Sequence, residues 1–160
     1  WIDSQGPDRF RRGLYTFWRR TAPYPAFTGF DATSREVICT RRARTNTPLQ
    51  ALTTLNDPQY IEAAAALAAR LMAEAPDDAQ RLILGFRLCT GRRPTSAEAE
   101  VLIRLLVEER LVFDLDRTSA AALIGQGAPA GVAAGDDPNL AAWIVVANVL
   151  LNLDETLTRG

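Results

Sequence analysis

Two consecutive helix starts, Thr47-Pro48-Leu49-Gln50 and Asn56-Asp57-Pro58, constrain this chain more than any other feature. In the first, the Thr47 hydroxyl can cap a free backbone N–H, and Pro48 has no N–H to leave unsatisfied at the first helical position. Gln50 can reach back to complete a reciprocal box. The pattern predicts a short helix over residues 48–55. In the second, Asn56 is expected to take the left-handed conformation that ends a helix, Asp57 to cap the next one and Pro58 to open it. Two helices therefore meet at a sharp corner. Along the second, Tyr60, Ile61, Ala64, Leu67, Ala68, Leu71 and Met72 recur at helical spacing on one face while Glu62 and Arg70 fall elsewhere, so that face is core.

The same signals recur downstream. Pro76-Asp77-Asp78 closes one helix and caps another whose buried stripe is Leu82, Ile83, Phe86 and Cys89. Gly91-Arg92-Arg93-Pro94 is a turn, and Thr95-Ser96-Ala97-Glu98 is a second capping box. It leads a helix with Leu102, Leu105, Leu106 and Phe113 on one side and Glu100, Arg104, Glu108 and Arg110 on the other. Over 119–136 the Gly, Ala and Pro content rises, which predicts a surface loop holding at most one helical turn. Asp137-Pro138 starts the last helix, expected over 139–155 and apolar almost all round, hence central. The chain thus reads as all-α: one domain over 1–160, a helical bundle of about five main helices, preceded by an irregular Pro- and aromatic-rich N-terminal third over 1–46.

In that third, residues 9–20 alternate arginine with Phe10, Leu14, Tyr15, Phe17 and Trp18. The pattern predicts a short helix broken or ended near Gly13, with aromatics on the core and guanidinium groups outward. Pro23, Pro25 and Gly29 make 21–31 irregular, and 34–40 reads as an extended connector. Every basic residue is arginine, and the distribution is uneven. Residues 1–44 hold nine Arg against four acids, a balance of +5; residues 45–160 hold nine against fifteen, a balance of −6.

With 48% hydrophobic and 23% charged residues the chain is built to bury a core. It has no histidine, which excludes from within it a Ser-His-Asp triad, a Cys-His dyad, a histidine-ligated haem and the common zinc sites. Cys39 and Cys89 form no C-x-x-C device; they are either one disulfide or two inert side chains, the second being the commoner case. The longest apolar run, 140–153, is shorter than a membrane span and contains Asn148 and Asn152. The opening at Trp1, without methionine, reads as a piece of a longer protein.

Three strings carry a resemblance: RRGLYTFWRRTAPYPAFTGFDATSREVICTRRARTNTPLQALTTLNDPQYIEAA, RLCTGRRPTSAE and AAWIVVANVLLNLDETLTR. Together they resemble the Planctomycete Secreted Domain One family, a domain of unknown function. The resemblance implies the C-terminal part of a large exported multidomain protein with a companion domain of unknown function and, in many members, a cytochrome-c-like haem module. Without C-x-x-C-H, no haem is expected on this chain, and any such cofactor belongs to another domain. The resemblance implies no catalytic residue. Its recognisable positions are Arg41, Arg42, Arg44, Thr45, Asn46, Thr47, Pro48, Gln50, Asn56, Asp57, Pro58, Asn148, Asn152 and Glu155.

Two site expectations follow. Arg41, Arg42, Arg44 and Asn46, just ahead of the Thr47 helix start, are placed to hold an anion, an anionic polysaccharide or the acidic face of a neighbouring domain of the same polypeptide; the alternative is that the arginines pair structurally with acids of this domain or its neighbour. Thr47, Gln50, Asn56 and Asp57 are read as structural caps, and Asn148 and Asn152, one turn apart on an apolar helix, as buried amides tying other backbone to it. The leading functional expectation is a non-catalytic interaction module. The alternatives are a composite enzyme or redox protein acting on polysaccharide through a site shared with other domains, and nucleic-acid binding through the arginine/aromatic segment. The negative balance counts against the last.

Overall fold

The computed structural model describes residue 8 and residues 11–19, 21–22, 24–33, 37–41, 45–128 and 135–158. Among them the secondary structure is helical, with no strand: a 3-10 turn Gly13–Tyr15, then α1 Pro25–Gly29, α2 Pro48–Asn56, α3 Pro58–Glu74, α4 Asp78–Thr90, α5 Ser96–Leu115, α6 Arg117–Gly127, α7 Pro138–Leu151 and α8 Asp154–Leu157. The fold is all-α. The chain divides into two compact units, Trp1–Leu52 and Thr53–Gly160.

In the second unit, side-chain oxygens occupy orphan N–H groups at five helix starts. Asp57 accepts from the N–H of Gln59 (2.8 Å), Asp77 from Gln80 (2.8 Å), Asp116 from Ser119 (3.1 Å) and Asp137 from Asn139 (2.9 Å), while Thr95 and Glu98 form a reciprocal box. Each interaction satisfies a donor that has no partner inside the helix. The corner between α2 and α3 is made without a left-handed residue at Asn56. Asn56 is the last residue of α2, and Asp31 is the one non-glycine residue with positive φ among those described. The reason is Pro58, whose ring pushes the preceding residue to extended backbone. Asp57 accordingly adopts φ −69°, ψ 131°, and the helix stops there.

The core of this unit is built on α7. Ala141, Ala142, Trp143, Ile144, Val146, Ala147 and Leu150 are all buried, so α7 needs neighbours on nearly every side. It packs most extensively on α3 and α5, and also on α4, α6 and α8. Those helices supply Ala64, Ala68 and Leu71, then Leu82 and Phe86, then Leu102, Leu106 and Phe113, then Ala120 and Ile124. The predicted stripes of α3, α4 and α5 are therefore largely the faces that are buried, with Leu67, Met72 and Leu105 partly covered at their edges; in α4 it is Leu84, not Ile83, that packs against the core.

Two expectations for the second half are corrected. Most of the eleven-residue helix α6 lies within the predicted loop over 119–136. Its alanines favour helix, Asp116 caps it, and Ala120, Ile124 and Gly127 are buried. The glycine that reads as a loop signal is a packing device: a Cβ at position 127 would sit 2.5 Å from Ala65 Cβ and 3.3 Å from the Ile61 carbonyl oxygen. The last helix also ends sooner than predicted, at Leu151 rather than near Glu155. The chain turns at Asn152, whose N–H reaches the Asn148 carbonyl (3.1 Å), and the Thr156 hydroxyl returns to bond the Leu150 carbonyl (3.0 Å). An apolar run specifies burial but not where the backbone ladder is cut.

Val146→Asp would place an unpaired charge at a fully buried position of α7. A loss of about 3–5 kcal/mol is expected, read as a large fall in the denaturation midpoint.

Candidate functional site

In the first unit the polar residues of the segment 45–50 close on one another and on 29–31. The Thr47 N–H donates to Gln50 Oε1 (2.8 Å) and the Gln50 N–H to Thr47 Oγ1 (3.2 Å), the reciprocal box. The buried Gln50 then uses its amide nitrogen on the Gly29 carbonyl (2.8 Å) and on Thr45 Oγ1 (3.2 Å). Asp31, held left-handed at φ 55°, accepts from both the N–H (2.9 Å) and the hydroxyl (2.6 Å) of Thr45. The end of α1 and the start of α2 are thus tied together by one glutamine and one aspartate. Sequence reasoning assigned Gln50 to the cap alone; its long-range partners had no periodic signal to reveal them.

Of the four residues read as an anion site, Arg41 and Asn46 are described, and both are exposed. Arg42 and Arg44 lie outside the described residues. The capping box occupies the Gln50 N–H, one of the helix-start donors that an anion would otherwise use. Upstream, the expected burial of aromatics is corrected: Leu14, Tyr15 and Phe17 are exposed, beside the exposed Arg11, Arg12 and Arg19. The cause is local. Among the described residues a three-residue 3-10 turn forms there, which cannot present two faces, and Phe27 takes Trp18 in a stack at 5.3 Å and Tyr24 edge-on at 5.6 Å. Gly13 lies so close to Phe27 that a Cβ would meet the ring at 2.9 Å.

In the second unit, Asn148 Nδ2 donates to the Leu55 carbonyl at the end of α2 (3.3 Å), and Asn152 Oδ1 accepts from the buried Thr54 hydroxyl (2.6 Å). The pair holds the last turn of α2 against α7. Asn148 Oδ1 is buried with no hydrogen-bond partner.

Two arginine networks in this unit escaped sequence reasoning. Arg92, in the α4–α5 turn, lies 4.9 Å above the Phe86 ring and holds two carboxylates at once. It bonds Glu98 at 2.6 and 2.9 Å and Glu155 at 2.6 and 2.9 Å. The Arg92 guanidinium, helped by Thr95, lowers the Glu98 carboxyl to about 2, and it also lowers Glu155; Arg92 itself is raised. Neither carboxylate is set to exchange protons near neutral pH. At the opposite end of α5, Arg110 grips both oxygens of Asp78 (2.6 and 2.8 Å) and donates through Nε to Asn139 Oδ1 (2.8 Å), joining α4, α5 and α7. Its hydrogen bonds hold Asp78 below the ordinary aspartate range. The buried Trp143 indole N–H has no partner at hydrogen-bond geometry, yet it adds to that lowering. Arg110 was read as an outward residue; four after Leu106 and three before Phe113, it sits at core spacing, and that was the missed signal.

Cys39 and Cys89 are free thiols, exposed and buried respectively. Among the described residues no three His, Cys, Asp or Glu side chains cluster to hold a metal ion, and no helix is long and apolar enough to cross a membrane.

Gln50→Ala is expected to cost about 2 kcal/mol, because it strands the Gly29 carbonyl as well as the cap; a lowered denaturation midpoint reads this. For Arg92 the effect is pH-dependent. Glu98, depressed from 4.5 to about 2 in the fold, contributes stability that is present above 4.5 and lost as pH falls through about 2. The stability gap between the parent and Arg92→Met should therefore be widest near neutral pH and close between those values in acid denaturation.

A family model described as PSD1, protein of unknown function (DUF1553), matches residues 1–106. That stretch includes the clamp around Gln50, the Asp57 corner and the Thr95 box; Asn148, Asn152 and Glu155 lie outside it. No curated protein and no solved structure matches the chain.

Proposed function

The chain belongs to the PSD1 family of proteins of unknown function, and from that premise we propose that it is a non-catalytic interaction module whose basic N-terminal third receives an acidic partner. The reading rests on one observation, the charge split of +5 over residues 1–44 against −6 over 45–160. In the second unit Arg70, Arg81, Arg92, Arg110 and Arg117 are each spent on a carboxylate of that unit. The first 44 residues carry more guanidinium than their own acids can neutralise.

The exposed Tyr15 and Phe17 beside the exposed Arg12 narrow the chemistry. Aromatic faces take the apolar faces of sugar rings, and guanidinium forks take carboxylates or sulfates. An anionic polysaccharide presents both; the carboxylate-rich face of a neighbouring domain presents the second. Nucleic acid also offers rings and charge, and the chain's net charge of −1 disfavours it.

The test is binding of the chain to sulfated and uronic-acid glycans, neutral glycans and single-stranded nucleic acid, with Arg41, Arg42 and Arg44 changed to Gln together. The expected outcome is a salt-sensitive anionic-glycan signal that the folded variant loses. Equal binding by variant and parent removes the cluster as the site, and a preference for nucleic acid replaces this reading with the other.

A further inference from the structure

The outer face of α5 carries a pattern that the core does not use. Ala97, Val101, Arg104, Glu108, Leu111 and Leu115 recur at alternating spacings of four and three, the seam of a coiled coil. All six are exposed, with Val101 at 52%, Leu111 at 60% and Leu115 at 90%. Leu102, Leu106 and Phe113 occupy the opposite face and are buried in the unit's own core. A helix with an inner and an outer apolar seam has a second surface to cover.

The charges on the outer seam identify what covers it. Arg104 and Glu108 sit at its centre one turn apart, and neither forms a hydrogen bond or ion pair among the described residues. About a two-fold axis at the level of residue 106, an antiparallel second copy brings Arg104 of each chain opposite Glu108 of the other. The same axis sets Val101 opposite Leu111 and Ala97 opposite Leu115, a smaller residue against a larger one in each layer. These are the layer pairings of an antiparallel coiled coil. Self-complementary charge and size about one axis are what an isologous interface requires. At the flank, Asp114 is already paired with Arg117 at 3.1 Å, which reduces repulsion from Glu100 of the second copy. We infer that two copies of this chain associate antiparallel through the outer face of α5, with Arg104–Glu108 pairs fixing the register.

Sedimentation of the whole chain over concentrations up to roughly 1 mM tests this with charge reversals at exposed positions, where the fold tolerates them; circular dichroism checks that it does. A concentration-dependent dimer is expected. Arg104→Glu and Glu108→Arg should each weaken it by at least about tenfold, since each sets like charges opposite one another. The double variant R104E/E108R should restore it. A chain that stays monomeric overturns the inference, as does a dimer indifferent to the single reversals. Failure of the double variant to restore association overturns the antiparallel register.

Discussion

A helix that is apolar on almost every side cannot sit on the surface of anything, and the second unit is the solution to that constraint. Trp143, Ile144, Val146 and Leu150 are all buried in α7, and α3, α4, α5, α6 and α8 pack around that helix. Each large side chain so covered contributes about 1.5–3 kcal/mol relative to exposure, which makes α7 the largest single claim on its neighbours. The two arginine networks sit where those neighbours meet: Arg110 joins the starts of α4 and α7 to the far half of α5, and Arg92 joins the α4–α5 turn to α8. Apolar burial gathers the helices, and guanidinium forks, with fixed geometry, set how their ends are placed.

What was legible in the sequence was what is local. The helix starts at Pro48, Pro58, Asp78, Ser96 and Pro138 were readable because each cap is made by residues two or three apart. The buried stripes were readable because core contact repeats along a helix. The misreadings share a cause: the deciding partner is distant in sequence. Gly127 signals a loop until Ala65 and Ile61 are known to press against it. Arg110 looks solvent-facing until Asp78 and Asn139 appear beside it. Tyr15 and Phe17 look like core residues until they are found exposed, with Phe27 stacked on Trp18 and edge-on to Tyr24.

The candidate site was legible in composition more than in geometry. The charge split is a property of the sequence, whereas the residues that shape the first unit, Gln50 and Asp31, do so through hydrogen bonds 14 to 21 residues apart. The family match covers that clamp, so the most recognisable string in the chain includes an architectural one. A motif can be distinctive because a loop must be held, with no ligand involved.

The bonds from Thr54 to Asn152 and from Asn148 to Leu55 span 98 and 93 residues. Closing loops of that length costs entropy that only the finished core can offset. A chain made from its N-terminus exposes Thr54 and the Leu55 carbonyl long before either asparagine exists. The end of α2 must then wait, solvated and unclasped, until α7 has been synthesised. Any factor that captures residues 53–57 of the nascent chain would act in that interval, and completion of α7 would end it.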